Sequence, residues 1–345
     1  MSDFALPLNA PSDEKKFVTL YDCHNGNEGH REDYYTVFSN LIGAKRTDSF
    51  WKALFSSAPV LIGAIEAQSA LRKYAALAVA RTLVGRQTAA LLFRPLPTLA
   101  GATRKMRIKR KVLKLIRRLT PAQTITIMPF AVEPLFSSIA ATWIFDPQFW
   151  DLHFPFPMDA RLEGPLAAEL RQAAGGRKIC CAIGRQDEEK GFDQYSTLYA
   201  TRPDLREQWL FASGGQVDEG IRSNLDVFEA SGGFSVSRFI DQEELLDLYS
   251  CADLIWCSYH TTYDQASGIF GRAMQFGIPV VVREGSLIQK FCVSERIVHI
   301  VYDGRPETFD WSKLQSRCSS DVAAQRARQQ GKESLLRLRN ALAIK

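Results

Sequence analysis

A four-residue apolar run at 254–257 is followed by a polar loop, an eight-residue helical pattern at 269–276 and a second apolar run at 280–282. This succession limits the chain more than any other feature. Runs of four buried residues bounded by turn signals read as strands inside a sheet covered on both faces. Gly277 ends the helix in the manner of a C-cap, and Pro279 prevents its continuation. Strand, helix and strand at this spacing form a βαβ unit, which requires a parallel sheet. The loop between strand and helix, with Asp264, Ser267 and Gly268, then lies at the carboxyl end of a parallel strand. Ligands of open α/β sheets bind there. The amide end of a helix starting near Ser267 and Gly268 favours an anion, typically a phosphate. Gly268 lets that ligand approach the backbone.

A second stretch fits the same chemistry. Residues 178–183 read as a strand, and Gly184-Arg185-Gln-Asp-Glu-Glu-Lys190-Gly191 leads into a helix over 192–199. Arg185 offers a planar fork of donors and Lys190 a mobile point charge, a pair suited to pyrophosphate. The alternative is a polar turn in which Asp187–Glu189 neutralise the two cations. His260, just past the strand at 254–257, either contacts the phosphates or caps a turn.

Together these stretches resemble the donor site of GT-B glycosyltransferases, in particular the large family of retaining bacterial sugar transferases (family 4-like). Tyr249, Ala252, Asp253, Gly268, Ala273, Met274, Gly277, Pro279, Val280 and Val281 fit that family's pattern in register, and Gly-Arg followed by Lys-Gly precedes it in the expected order. The two family glutamates fall on Asp264 and Arg272. Arginine has no acceptor, so Arg272 cannot take hydrogen bonds from ribose hydroxyls as the glutamate does. The resemblance implies two Rossmann-like, doubly wound parallel-sheet domains facing a cleft. It also implies a nucleoside-diphosphate sugar as substrate, with a UDP- or GDP-sugar as donor and no cofactor or metal. Arg185, Lys190 and Asp264 would act in transfer. Gly184, Phe239, Ile240, His260, Ser267, Gly268 and Arg272 would line the donor pocket, the 238–240 segment reading the base. In the same way His30, in the polar loop after the first strand, would face the acceptor or the transferred sugar. As a sequence feature alone it is equally a capping residue in a solvated turn.

The 345 residues exceed what one core usually supports. The pattern divides into an acceptor-side domain at 1–155, a nucleotide-sugar domain at 156–320 and a last helix at 321–345 that in this fold crosses back to the first domain. The Pro-rich residues 155–158 suggest the hinge. Strands are expected at 17–21, 60–65, 89–93, 124–128, 209–213 and 237–240, and the terminal helix reads as exposed. Residues 104–118 form a basic amphipathic helix that either packs on the sheet by its apolar side or lies on an anionic membrane surface. It has no interleaved aromatics, so nucleic acid is not an expected partner. The net charge of +5 and a pI of 8.8 suit an anionic ligand without specifying one. Seven scattered cysteines without metal spacing read as buried thiols of a cytosolic protein. There is no signal-peptide pattern and no apolar run of membrane-spanning length.

The expected function is therefore sugar transfer to a saccharide or lipid-linked saccharide in bacterial surface polysaccharide synthesis. The expected location is the cytoplasm, with contact to the inner membrane face as an option. The alternative is a catalytically degenerate module of the same fold that scaffolds a partner transferase.

Overall fold

The computed structural model describes residues 18–23, 31–154, 164–314 and 316–344. Two parallel six-stranded sheets carry the chain. The first contains β1 (Val18–Tyr21), β2 (Ala44–Thr47), β3 (Val60–Ile62), β4 (Thr88–Leu92), β5 (Gln123–Thr126) and β6 (Thr142–Trp143), in the order β2-β1-β3-β4-β5-β6. The second contains β7 (Lys178–Ile183), β8 (Trp209–Gly214), β9 (Phe234–Val236), β10 (Leu254–Cys257), β11 (Val280–Arg283) and β12 (His299–Tyr302), in the order β12-β11-β10-β7-β8-β9. The βαβ unit read from 254–282 is present, with Ile255 opposite Val280 and Cys257 opposite Val282. On its other edge β10 pairs with β7, Leu254 opposite Cys180. Both strands are buried on both faces, which is why their sequences are continuous apolar runs rather than alternating ones.

Strand order reverses between β1 and β3 in the first sheet and between β7 and β10 in the second. Ligand crevices of doubly wound sheets open at such reversals. The loops after β7 and β10 are the two stretches singled out above.

Two expectations need correction. Residues 237–240 are not a strand. The ladder stops at Val236, and Asp241 and Glu244 build a reciprocal capping box at the start of the helix Gln242–Cys251. Arg238 forks onto Glu244 at 2.6 and 2.9 Å. Side-chain bonds therefore hold this loop in place of a ladder. The last helix, Ser320–Ala341, is exposed on one side only. Its small residues Ala323, Ala327, Gly331 and Ser334 are packed inward with Leu338. Ser334 Oγ accepts the Phe145 amide at 3.0 Å, and the Ala341 carbonyl accepts from Gln87 at 2.8 Å. It thus touches the first lobe through its second half, while Gln330 donates to Glu295 of the second lobe.

The hinge suggested at 155–158 lies outside the described residues. Before it, the turn Pro147–Phe149 is already seated on the helix Gly268–Gln275 of the second lobe. Gln275 donates to the Gln148 carbonyl at 2.9 Å and accepts the Leu152 amide at 3.0 Å. Phe149 packs edge-on against Phe270 and Phe291. One continuous apolar cluster joins the facing sides of both sheets through this turn.

Candidate functional site

A hollow of about 570 Å³ lies between the lobes. Every loop that lines it leaves the carboxyl end of a strand or continues from one. From the first lobe come Ala64, Glu66 and Ala67 after β3, Phe93 and Arg94 after β4, Ile127 after β5, and Asp146 and Gln148 after β6, with Tyr34 from the helix Arg31–Ile42. From the second come Lys190 after β7, Tyr263, Gln265–Ile269 and Arg272 after β10, and Gln242, Leu245 and Tyr249 from one helix.

The second-lobe wall suits an anion. Gly191 holds the N-cap of the helix Phe192–Thr201 in the left-handed region, φ +72°, where a Cβ would strike the Ser258 carbonyl. This turn delivers Lys190 to the hollow. Its ammonium lies 3.7 Å from the Tyr263 ring centroid and 4.5 Å from that of Tyr259. Arg94 approaches the Tyr263 ring at 5.9 Å from the first lobe. The Tyr263 ring thus neighbours a cation from each lobe. Ser267 does not cap the helix Gly268–Gln275 with its side chain, because its hydroxyl pairs with Tyr259 at 2.8 Å. The first amides of that helix are therefore not taken by the cap side chain.

The predicted residues divide. Lys190, Ser267, Gly268 and Arg272 meet in the hollow. Gly184, at φ +86°, lies behind it against Ile269. Arg185 does not line the hollow. Its exposed guanidinium forks onto Asp218 at 2.5 and 2.7 Å, which raises its already high pKa through that hydrogen bond. Asp264 is also turned away: one oxygen accepts the Leu287 amide at 2.8 Å, and the other pairs with Arg283 at 3.2 Å. It ties the loop to the start of the helix Leu287–Glu295. His260 caps the one-turn helix Thr261–Tyr263 through Thr262, the turn-capping alternative. Phe239 is exposed and Ile240 packs on Gly214, neither of them on the hollow. His30 lies outside the described residues.

Arg272 is the unusual member. Its Nη2 donates to Asp151 Oδ2 at 2.8 Å, whose other oxygen accepts from Gln275. Its Nε and Nη1 are buried without a protein partner. Unpaired buried donors of this kind are costly, about 1–3 kcal/mol each.

Three residues were missed. Asp146 Oδ1 accepts both the Tyr34 hydroxyl at 2.8 Å and the Gln148 amide at 2.9 Å. Burial pushes the Asp146 carboxyl up to about 7, against the lowering effect of those two bonds and of Arg272. Tyr34 is raised well above its ordinary range, first by burial and then by the neighbouring Asp146. The Gln148 side chain is buried against Gly268, which has no Cβ to collide with it. The only sequence signal for these residues was Asp146-Pro147, a turn start with the side chain capping the next amides.

No protein-family model matches the sequence, and no curated protein matches it. Among solved structures it is similar to HepE of Anabaena, solved in complex with UDP and glucose, at a TM-score of 0.61 and 14% identity, covering 94% of this chain and 99% of that one. It is similar to WaaG, a glycosyltransferase involved in lipopolysaccharide biosynthesis, at 0.51 and 13%, covering 95% and 99%. The N-terminal domain of Candida albicans trehalose-6-phosphate phosphatase matches at 0.55 and 11%, covering 92% and 78%. The chain has the GT-B fold.

Proposed function

We propose that this protein is a glycosyltransferase that moves a sugar from a nucleoside-diphosphate sugar to a saccharide or lipid-linked saccharide of a bacterial surface polysaccharide. The observation that carries the reading is the meeting of Lys190 with the amide end of the helix Gly268–Gln275, at the reversal point of the second sheet, across a hollow from the strand ends of the first. HepE, similar in fold, was solved with UDP and glucose. The diphosphate lies between Lys190 and these amides. As the bond from sugar to phosphate breaks, negative charge gathers on the departing diphosphate, and these fixed donors stabilise it. They supply the neutralisation a divalent ion would otherwise give, and the family resemblance implies retention of anomeric configuration.

Acceptors anchored in lipid fit the first-lobe surface. The helix Arg104–Leu119 buries Lys109, Leu113 and Ile116 but leaves Ile108, Leu115 and Leu119 exposed among its cations. Trp51 and Phe55 stack on each other and are also exposed. Cations around exposed apolar side chains suit the inner face of an anionic membrane. No helix among the described residues is long and apolar enough to cross one.

The second reading, a non-catalytic module that scaffolds a transferase, is favoured by Arg185 and Arg272 each being held by an aspartate. Thermal-shift screening with UDP-, GDP-, ADP- and dTDP-sugars separates the two. A donor at about 100 times its Kd stabilises by about 2.7 kcal/mol, and Lys190→Met removes the shift. No shift with any donor leaves the scaffold reading.

A further inference from the structure

A sugar nucleotide brings hydroxyls as well as phosphates, and in this hollow the residues aligned with the family's hydroxyl acceptors do not serve. Asp264 has both oxygens engaged outside it, and Arg272 has only donors. Among the described residues, two other carboxylates line the hollow. Glu66 holds the Phe93 and Arg94 amides of its own lobe with Oε1, and its Oε2 is buried without a partner. Asp146 is different. Its Oδ1 is occupied by Tyr34 and Gln148, no described residue bonds its Oδ2, and the side chain, only 2% exposed, lines the hollow. It is also close to the helix mouth, because Gln148, whose amide Asp146 holds, is the residue packed against Gly268.

We infer that Asp146 is the carboxylate that accepts a hydroxyl of the donor's sugar, through Oδ2, in place of Asp264. This rests on the glycosyl-transfer reading above. The transferred sugar hangs from the second phosphate, so it lies just beyond the mouth of the helix Gly268–Gln275, where Asp146 faces the second lobe. Tyr34 fixes the carboxyl so that the free oxygen is presented without searching rotamers. The groups around Asp146 are Tyr34 on the helix Arg31–Ile42, Asp151 on the following turn and Arg272 on the facing helix, with Glu66, Arg94, Lys190 and Tyr263 elsewhere on the hollow. Tyr34, the Gln148 amide and Arg272 favour the ionised form, whereas burial and Asp151 oppose it.

Calorimetry on the full chain tests this with UDP-glucose, GDP-mannose and ADP-glucose, each against its free nucleoside diphosphate. The quantity read is the gain in affinity that the sugar contributes. Asp146→Asn lowers that gain at least about tenfold, the worth of one hydrogen bond to a charged group, and leaves the free diphosphate unchanged. In the unaltered protein the gain weakens as pH falls through the titration of the carboxyl near 7. Tyr34→Phe moves that midpoint upward, because the lost hydrogen bond favoured the ionised form. A merely structural Asp146 would weaken diphosphate and diphosphate-sugar alike and would give no midpoint for Tyr34→Phe to move. Either of those results, or a full sugar gain in Asp146→Asn, overturns the assignment while the transferase reading stands. Failure of every diphosphate to bind the unaltered protein overturns both. If Asp146→Asn does not fold, the Tyr34→Phe midpoint alone decides.

Discussion

Replacing Gly271 by alanine tests how the two lobes are joined. In the interior of a helix this change normally stabilises by about 1 kcal/mol. Here the added Cβ would stand 2.5 Å from the Gln148 carbonyl oxygen and 2.5 Å from Phe149 Cδ1. Ordinary contact begins at 3.4 Å, so the Pro147–Phe149 turn must retreat by nearly an ångström, and it is backbone that has to move. Overpacking of this kind costs about 1–3 kcal/mol. The retreat also stretches the bond from Gln275 to the Gln148 carbonyl, worth about 1 kcal/mol. Losses of about 2–4 kcal/mol against a gain of about 1 leave Gly271→Ala less stable by about 1–3 kcal/mol. Urea unfolding followed by tryptophan fluorescence reads this difference. Gly268→Ala is the companion: its Cβ meets the terminal oxygen of the Gln148 side chain, which can rotate away, so stability changes by less than about 1 kcal/mol while nucleotide binding suffers. A Gly271→Ala protein as stable as the original would refute the claim that this turn is wedged against the helix backbone.

Three further outcomes are expected. Asp264→Asn breaks the Arg283 pair and weakens the hold on the Leu287 amide; it destabilises by about 1–2 kcal/mol in denaturant titrations and leaves nucleotide affinity unchanged. Asp146 keeps its proton in the folded state up to about pH 7, whereas the unfolded chain loses it near 3.8. Stability is therefore withdrawn as pH rises from about 4 to about 7, by on the order of 4 kcal/mol in total, and is level above. Asp146→Asn should gain on the original protein across that window in unfolding curves, and a margin that stays constant with pH would contradict the buried-carboxyl account. Exchanging Lys111, Lys114 and Arg118 for glutamine should weaken sedimentation with phosphatidylglycerol vesicles at low salt, by about 1 kcal/mol for each cation near the surface; unchanged binding would remove this helix from any membrane role.

The sequence disclosed those parts of the fold that are periodic or apolar. Strands β7 and β10 were read with their observed bounds because central parallel strands are unbroken apolar runs. The helix Gly268–Gln275 was legible from Gly277 and Pro279. The candidate site was legible where a motif meets a helix start, at Lys190, Ser267 and Gly268, and at Arg272 in the helix that follows. Arg185 and Asp264 occupy the right positions in the chain, but side-chain direction depends on neighbours distant in sequence: Asp218 for one, Arg283 and Leu287 for the other. Asp146, Tyr34 and Gln148 were not visible because their grouping depends on packing. The Tyr34–Asp146 bond spans 112 positions, and the connection that holds Asp146 has neither helical nor strand period.

The terminal helix bears on how the protein is made. Leu342 is wholly buried in the same apolar cluster as Val18 and Leu20 of the first strand, and Ala341 is bonded to Gln87. A ribosome releases β1 long before residues 341–342. The first lobe therefore leaves the exit tunnel with part of its interior uncovered, and it is sealed only after the second lobe has been synthesised and its tail has folded back. Truncation before Ala341 would therefore strike the lobe that stands first in the sequence.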